Sequence, residues 1–454
     1  MQTYDQFIES KSQLGGEHGF EPVFMPGFLF DFQKHLVEWA TRKGRAAIFA
    51  DCGLGKTAMQ LVWAQNVVEK TNGNVLVLTP LAVSGQTVEE SSKFGIESQK
   101  SRDGKFKKRI VVTNYQQLSK FNAGDFSGCV CDESSILKNF DGKIKSEVTE
   151  FMRKMKYRLL CTATAAPNDY IEIGTSSEAL GELGFIDMVA KFFKKAEATT
   201  SRSDEFRSNI YRFRGHAEKM FWRWICSWAR ACRKPSDIGF SDEGFKLPEL
   251  KMNEHSVIAK TPRSDMLFDL PAIGLQEQRA ERRRTIKERC EMAAQLVLKS
   301  EGPSLMWCHL NDEGKMLKSM VPDSIEVSGN DSDEFKEEAF CAFVKGDIRT
   351  LISKPIIGGF GLNFQNCAHQ TFFPSHSFEQ WYQAVRRSWR FGQKKPVVID
   401  MITSDGESGV MANLMKKSKA AEKMFEQIIS LMSSELRLTV ENKAKTQQVN
   451  PSWL

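Results

Sequence analysis

Short, unbroken apolar runs recur through the first half of the chain. They are Ala46-Ala47-Ile48-Phe49, Val75-Leu76-Val77-Leu78, Ile110-Val111-Val112, Cys129-Val130-Cys131 and Leu159-Leu160-Cys161. Runs without polar alternation mark strands covered on both faces, as in a parallel sheet. Phe30–Ala40 and Ala58–Ala64 instead place apolar residues at helical spacing. The strand pattern returns late in the chain, at Ser304–Leu310 and Arg349–Lys354. An α/β protein with two parallel-sheet domains is expected, the first over residues 1–174 and the second over 261–405. Residues 175–260 read as a helical insertion between them, and 406–454 as C-terminal helices with a polar tail. Within the insertion, Ala217–Cys232 predicts a helix whose Phe221, Trp224, Ile225, Trp228 and Cys232 share a core-forming face, with Pro235 ending it. Upstream, Arg202, Arg207, Arg212, Arg214 and His216 alternate with Phe206, Tyr211 and Phe213, a mixture suited to phosphate contact and base stacking. Glu277–Lys299 is a highly charged helix leading into the second core.

Composition narrows the class. At 454 residues the chain is too long for one ordinary core. It is globular in make-up, 41% hydrophobic and 26% charged, with a net charge of +6. That mild excess permits a nucleic-acid partner without demanding one, so any binding surface must come from local clustering. The basic stretch Lys100–Arg109 reads first as a solvated loop and second as a phosphate contact. The ten cysteines include no Cys-x-x-Cys pair, which argues against a zinc ribbon. Met1–Phe20 is polar and no apolar run reaches membrane-spanning length, so a reduced cytoplasmic protein with no membrane partner is expected.

The candidate chemistry sits where predicted strands end. Ala50-Asp51-Cys52-Gly53-Leu54-Gly55-Lys56-Thr57 lies between a strand and a helix. That order presents backbone N–H groups and a helix N-terminus to a phosphate, with Lys56 reaching the outer phosphates and Thr57 ligating Mg²⁺. The complete pattern has glycine where this chain has Ala50. Gln33, 23 residues before Lys56, carries an amide able to pair with an adenine edge. Asp132-Glu133 follows the Cys129–Cys131 strand, 76 residues after Lys56. Asp132 is suited to hold Mg²⁺ and Glu133 to orient and deprotonate water. Thr162-Ala163-Thr164 adds small hydroxyls able to relay between a nucleotide and a second ligand. Thr79-Pro80 and Thr113-Asn114-Tyr115 end strands at the same ligand-binding edge.

These pieces, together with Phe32-Gln33 and Ser134-Ser135, resemble the superfamily 2 helicases and translocases, especially the Swi/Snf-type branch and its compact phage-type relatives. The second half carries the matching motifs Gly358-Gly359-Phe360-Gly361-Leu362-Asn363 and Gln383-Ala384-Val385-Arg386-Arg387-Ser388-Trp389-Arg390-Phe391-Gly392-Gln393. Departures are Ala50, Ser134-Ser135 in place of Ala-Asp or Ala-His, and Pro355 just before the glycine pair. The resemblance implies two RecA-like domains in tandem, ATP and Mg²⁺ as cofactors, and Lys56, Asp132, Glu133, Arg387 and Arg390 as catalytic residues. Arg387 and Arg390, three apart and so expected on one helix face, would reach the γ-phosphate, with Arg386 a surface or backbone contact. Gln33, Gly53, Gly55, Lys56, Thr57, Gly361 and Gln383 would bind nucleotide, with Thr57 and Asp132 on the metal. Pro80, Asn114, Tyr115, Thr164, Ser353 and Lys354 would contact nucleic acid. The implied activity is ATP-driven movement on, or remodelling of, duplex, forked or branched DNA, in the host cytoplasm if phage-encoded, with replication or recombination proteins as partners. The runners-up are an RNA-directed ATPase of the same architecture and a nucleic-acid-binding ATP switch with little turnover.

Overall fold

The computed structural model describes residues 16–138, 142–166, 170–195, 211–215, 217–259, 275–359 and 362–447. The chain divides into two units, the first built from Met1–Thr79, Thr87–Asp242 and Ala421–Leu454, the second from Pro80–Gln86 and Glu243–Ala420.

In the first unit each apolar run becomes a strand. These are β1 (Arg45–Ala50), β2 (Asn74–Thr79), β3 (Ser98–Lys100), β4 (Ile110–Asn114), β5 (Phe126–Asp132) and β6 (Tyr157–Cys161). A short antiparallel pair, β7 (Phe193–Lys195) and β8 (Tyr211–Phe213), and a last strand, β9 (Ala229–Cys232), complete the unit. The main sheet is wholly parallel in the order β3-β4-β2-β5-β6-β1-β9. Its central strands are buried beyond their first residues, which is why they carry no polar alternation. The parallel order brings the ends of β1, β2, β4, β5 and β6 to one carboxyl edge, where open α/β sheets bind ligands.

The expected insertion at 175–260 does not form a unit of its own. The helix Ala217–Trp228 ends four residues short of Cys232, and Ala229–Cys232 joins the first sheet as β9 beside β1. Phe221, Trp224, Ile225 and Trp228 are buried as their stripe requires, and so are Trp222 and Cys226 off that stripe. The C-terminal helix is a single element over Ser408–Gln447. Met424, Phe425, Ile428 and Met432 on it are buried, with Cys226 Sγ 3.8 Å from the Ile428 carbonyl. Arg202, Phe206, Arg207 and His216 of the aromatic-basic stretch lie outside the described residues.

The second unit holds β10 (Leu250–Val257), β11 (Ser304–Trp307), β12 (Ser324–Val327), β13 (Thr350–Ser353), β14 (His369–Phe372) and β15 (Val397–Ser404). They form a parallel sheet in the order β10-β15-β14-β11-β13-β12. The charged helix expected at 277–299 breaks at Thr285 into Leu275–Arg284 and Ile286–Lys299. Cys290, Ala293, Ala294 and Val297 of its second half pack into a core with Met306, Ile352 and Ile402. Arg289 is buried there, paired with Glu313 at 2.8 Å.

Candidate functional site

The phosphate loop begins where β1 stops. Ala50, in the place of the expected glycine, is still a strand residue whose partner is Cys232 on β9. Extended backbone does not require glycine. The left-handed positions that do are Gly53 (φ +89°) and Gly55 (φ +76°). A Cβ on Gly55 would also lie 2.3 Å from Gln33 Nε2. Lys56 opens the helix Lys56–Thr71, and its ammonium donates to the loop carbonyls of Ala50 (2.9 Å) and Asp51 (3.4 Å). The loop is braced from two sides. The Asp51 N–H donates to the Cys232 carbonyl at 2.9 Å. Gln33 donates from Nε2 to the Leu54 carbonyl at 2.9 Å, while its Oε1 accepts the Phe30 N–H at 3.0 Å. Gln33 is buried, and each end of its amide already has a partner in the protein. One N–H and one lone pair remain for a base.

The two acids lie at the end of β5. Asp132 is the last strand residue, and its Oδ1 accepts from Gln60 Nε2 at 2.7 Å. Burial and the neighbouring Glu133 carboxylate push Asp132 up to about 6, against the pull of the Gln60 N–H and the Lys56 ammonium. The Tyr115 hydroxyl donates to the Asp132 carbonyl at 2.6 Å, and burial holds that phenol well above its ordinary value. Glu133 leaves the strand in the left-handed region (φ +53°), a conformation non-glycine residues adopt at a cost of about 1–2 kcal/mol. Such outliers concentrate at working sites. Its carboxylate accepts from Thr162 Oγ1 at 3.2 Å, and Thr162 Oγ1 accepts the Thr164 N–H at 3.0 Å. Within the Thr-Ala-Thr segment, Thr162 thus holds the Glu133 carboxylate and the Thr164 backbone holds Thr162.

This donor set fits Mg²⁺. A buried carboxylate made costly by a second one beside it gains from a cation; Asp132 offers a hard oxygen, and Thr57, second residue of the helix Lys56–Thr71, carries another. No cluster of three or more His, Cys, Asp or Glu suited to a metal occurs among the described residues. Mg²⁺ needs none, since it is held by one or two protein oxygens together with phosphates and water.

The second unit holds an arginine cluster. The helix Phe378–Val385 ends before Arg386, so Arg387 and Arg390 do not lie on a helix face as their spacing suggests. They sit in the turn that follows, and they converge instead on one carbonyl. Arg387 Nη1 donates to Leu362 O at 3.0 Å and Arg390 Nη1 at 3.4 Å. Arg387 is buried, with Nη2 on Gln383 Oε1 at 2.7 Å and Nε on the Gln383 carbonyl at 2.8 Å. Gln383 is therefore the support of Arg387. Arg386 is not a surface residue: it is buried, with its guanidinium 4.9 Å from the Trp389 ring centre. Gly361 lies outside the described residues. Pro355 takes the first position of the short helix Pro355–Gly358, where its missing N–H costs nothing.

The expected nucleic-acid contacts divide. Asn114 is buried and caps the 3₁₀ segment Tyr115–Lys120 by accepting the Gln117 N–H. Tyr115 and Ser353 are buried as well, Ser353 donating to the Val327 carbonyl at 3.1 Å. Thr164 is buried beside Thr162. Pro80 and Lys354 are partly accessible, and Lys354 Nζ donates to Asn311 Oδ1 at 2.5 Å.

Gln60, the donor to Asp132, is a residue that no motif announces. Gln60 is four residues after Lys56 on the same helix, so the i,i+4 rule already placed it on the lysine's face.

Residues 29–165 match the family model of the type III restriction enzyme res subunit, ResIII. No curated protein sequence matches. Among solved structures, the chain is similar to Saccharomyces cerevisiae Dbp5 bound to RNA and ADP BeF3, with 13% identity and a TM-score of 0.54 over 88% of this chain and 98% of that one. It also aligns with the Sulfolobus solfataricus SWI2/SNF2 ATPase core in complex with dsDNA, at 18% identity and a TM-score of 0.41 over 92% and 98%. No helix among the described residues is long and apolar enough to cross a membrane.

Proposed function

For a chain with the tandem RecA-like fold of the superfamily 2 helicases and a ResIII-type segment at residues 29–165, we propose ATP hydrolysis coupled to movement on, or remodelling of, DNA. The observation that carries this reading is the connected set at the first carboxyl edge. The phosphate loop with Lys56, the Asp132–Gln60 pair and the Glu133–Thr162 pair follow the ends of β1, β5 and β6 of one sheet. Lys56 exchanges its loop carbonyls for the outer phosphates. Asp132 and Thr57 hold Mg²⁺, which neutralises phosphate charge when bound. Glu133, steadied by Thr162, positions and deprotonates the attacking water. Gln33 selects the base with the donor and acceptor it has left. Arg387 and Arg390 supply positive charge to the equatorial oxygens in the transition state, and Gln383 and the Leu362 carbonyl keep their guanidinium planes oriented. Lys354 and Pro80, the more accessible of the expected contacts, meet the nucleic-acid backbone.

The test is turnover with forked or duplex DNA and with RNA as separate activators. DNA should raise ATP hydrolysis, and Glu133→Gln should lower it by about 10²–10⁴ while nucleotide still binds. Stimulation by RNA alone would replace DNA with RNA in this reading. Unchanged turnover in Glu133→Gln would remove the catalytic assignment, and little turnover in wild type would leave a nucleotide switch.

A further inference from the structure

The basic stretch read as a solvated loop is a built feature of the first unit. Residues 101–109 connect β3, the outermost strand, to β4. Because the two strands are parallel, the loop runs from the carboxyl end of one to the amino end of the other, along the side of the sheet. With Lys100 it carries six Lys and Arg and one Asp.

Its backbone is pinned along its length. Gln99 Oε1 accepts the successive N–H groups of Lys107 (2.6 Å) and Lys108 (2.7 Å). Asp103 Oδ1 accepts the Lys105 N–H at 3.1 Å, and Lys120 Nζ donates to the Arg102 carbonyl at 3.0 Å. Gly104 takes φ +84°, and a Cβ there would meet the Lys120 carbonyl at 2.3 Å. Phe106 turns inward, its ring 5.3 Å from that of Phe126, which leaves Lys105 and Lys107 on either side of it exposed. Arg102, Lys108, Arg109 and Lys120 are exposed too. The loop's one acid is occupied with backbone, and Lys108 pairs with Glu97 at 2.7 Å. Among the described residues, neither Lys105 nor Lys107 has a carboxylate within ion-pair distance.

Lysines near an outer strand commonly guard it against pairing with another chain. Here β3 is three residues long, and the cations stand on the loop beyond it. A guard needs no fixed backbone, whereas a binding surface gains from one, because little conformational freedom is then lost on association.

We propose that this loop is an accessory binding surface for the phosphodiester backbone of DNA, separate from the carboxyl-edge contacts and centred on Lys105, Lys107 and Lys108. It rests on the reading of the chain as a DNA-dependent ATPase. The 3₁₀ segment Tyr115–Lys120 connects the two places: its Lys120 holds the loop, and its Tyr115 holds the Asp132 carbonyl. DNA on the loop therefore lies one short element from the catalytic acid.

The test compares wild type with Lys105→Gln/Lys107→Gln/Lys108→Gln and with the matching triple Arg variant, measuring affinity for a labelled duplex across salt concentrations. Each phosphate contact contributes about 0.9 to the slope of log affinity against log salt. The Gln variant should lose about 2–3 from that slope and bind about 10- to 100-fold more weakly near physiological salt. The Arg variant should retain the slope, and ATP hydrolysis without DNA should be the same in all three. A photo-crosslinker at position 107 of the otherwise intact chain should capture the duplex. An unchanged slope in the Gln variant, or no crosslink, overturns the proposal. Self-association of the Gln variant with an unchanged slope overturns it as well and makes the lysines strand guards. A wild-type chain that binds DNA but is not stimulated by it sinks the ATPase reading and leaves the slope to judge the loop. A chain that binds no DNA overturns both.

Discussion

Gln60 shows how much one neutral side chain does at this site. Without it, Asp132 would be a buried carboxylate beside a second one with no side-chain donor on Oδ1. Residues that orient a metal's ligand typically change metal affinity or activity by about 10–100-fold when replaced. Gln60→Leu keeps the volume and removes the donor. It should lower turnover about 10-fold or more and raise the Mg²⁺ concentration needed for half-maximal rate. If both are unchanged in a Mg²⁺ titration, Gln60 is only a packing residue. The sequence pattern singles out both acids and Lys56 together, because an Asp-Glu pair after a strand is common alone and specific only downstream of a glycine-flanked lysine loop. It gives Gln60 no role, since i,i+4 spacing puts a glutamine on the lysine's face without saying what it bonds, and it does not show that Thr162 Oγ1 bonds the Glu133 carboxylate. That bond is made from a left-handed turn at Glu133, which departs from the alternation a strand would give.

Among elements, the second sheet is sewn together by one carboxylate. Asp400 on β15 accepts from Asn253 (2.9 Å) and His255 (2.8 Å) on β10, and its other oxygen meets His369 Nε2 on β14 at 2.9 Å. His369 Nδ1 lies 2.9 Å from Ser304 Oγ on β11, so four neighbouring strands share the network. Burial works to raise the Asp400 pKa, but the hydrogen bonds from His369, His255 and Asn253 outweigh it and hold the carboxyl down to about 2. A folded value below the unfolded 3.8 means the stabilisation is present above about pH 4 and is lost as pH falls towards 2. Asp400→Asn should cost about 2 kcal/mol at neutral pH, with the gap from wild type closing between about pH 4 and pH 2. Urea midpoints at several pH values measure this, and a gap that does not depend on pH refutes it. The same strands show where pattern reading stops. Buried central strands announced themselves as apolar runs. β10, with Lys251, Asn253, Glu254 and His255 on an outer position, has no such run. Ala229-Arg230-Ala231-Cys232 continues the helical stripe and so predicts the end of a helix, and only pairing with β1 makes it the strand β9.

For the whole molecule, motif order along the chain foretold two sheets but not their borders. The first unit reaches Asp242 and takes back the C-terminal helix from Ala421. That return depends on contacts such as Cys226 with Ile428 and Ala231 with Met432, about 200 residues apart in sequence, which no local pattern encodes. The division also separates the proposed catalytic groups, with Glu133 in the first unit and Arg387 and Arg390 in the second. If the two sets serve one phosphoryl transfer, their losses cannot be independent, because groups acting as a unit are strongly non-additive. Arg387→Ala should bind ATP normally and lose about 10³-fold or more in DNA-stimulated turnover. The double variant Glu133→Gln/Arg387→Ala should then be little slower than the worse single variant. Additive losses would mean that the arginine acts in a separate step, such as binding or release. Arg387→Lys sharpens the measurement. It keeps the charge but loses the planar fork that bonds Gln383 Oε1 and the Leu362 carbonyl together. A lysine variant as slow as the alanine one would show that the second unit contributes an oriented guanidinium, and one close to wild type would reduce its contribution to charge alone.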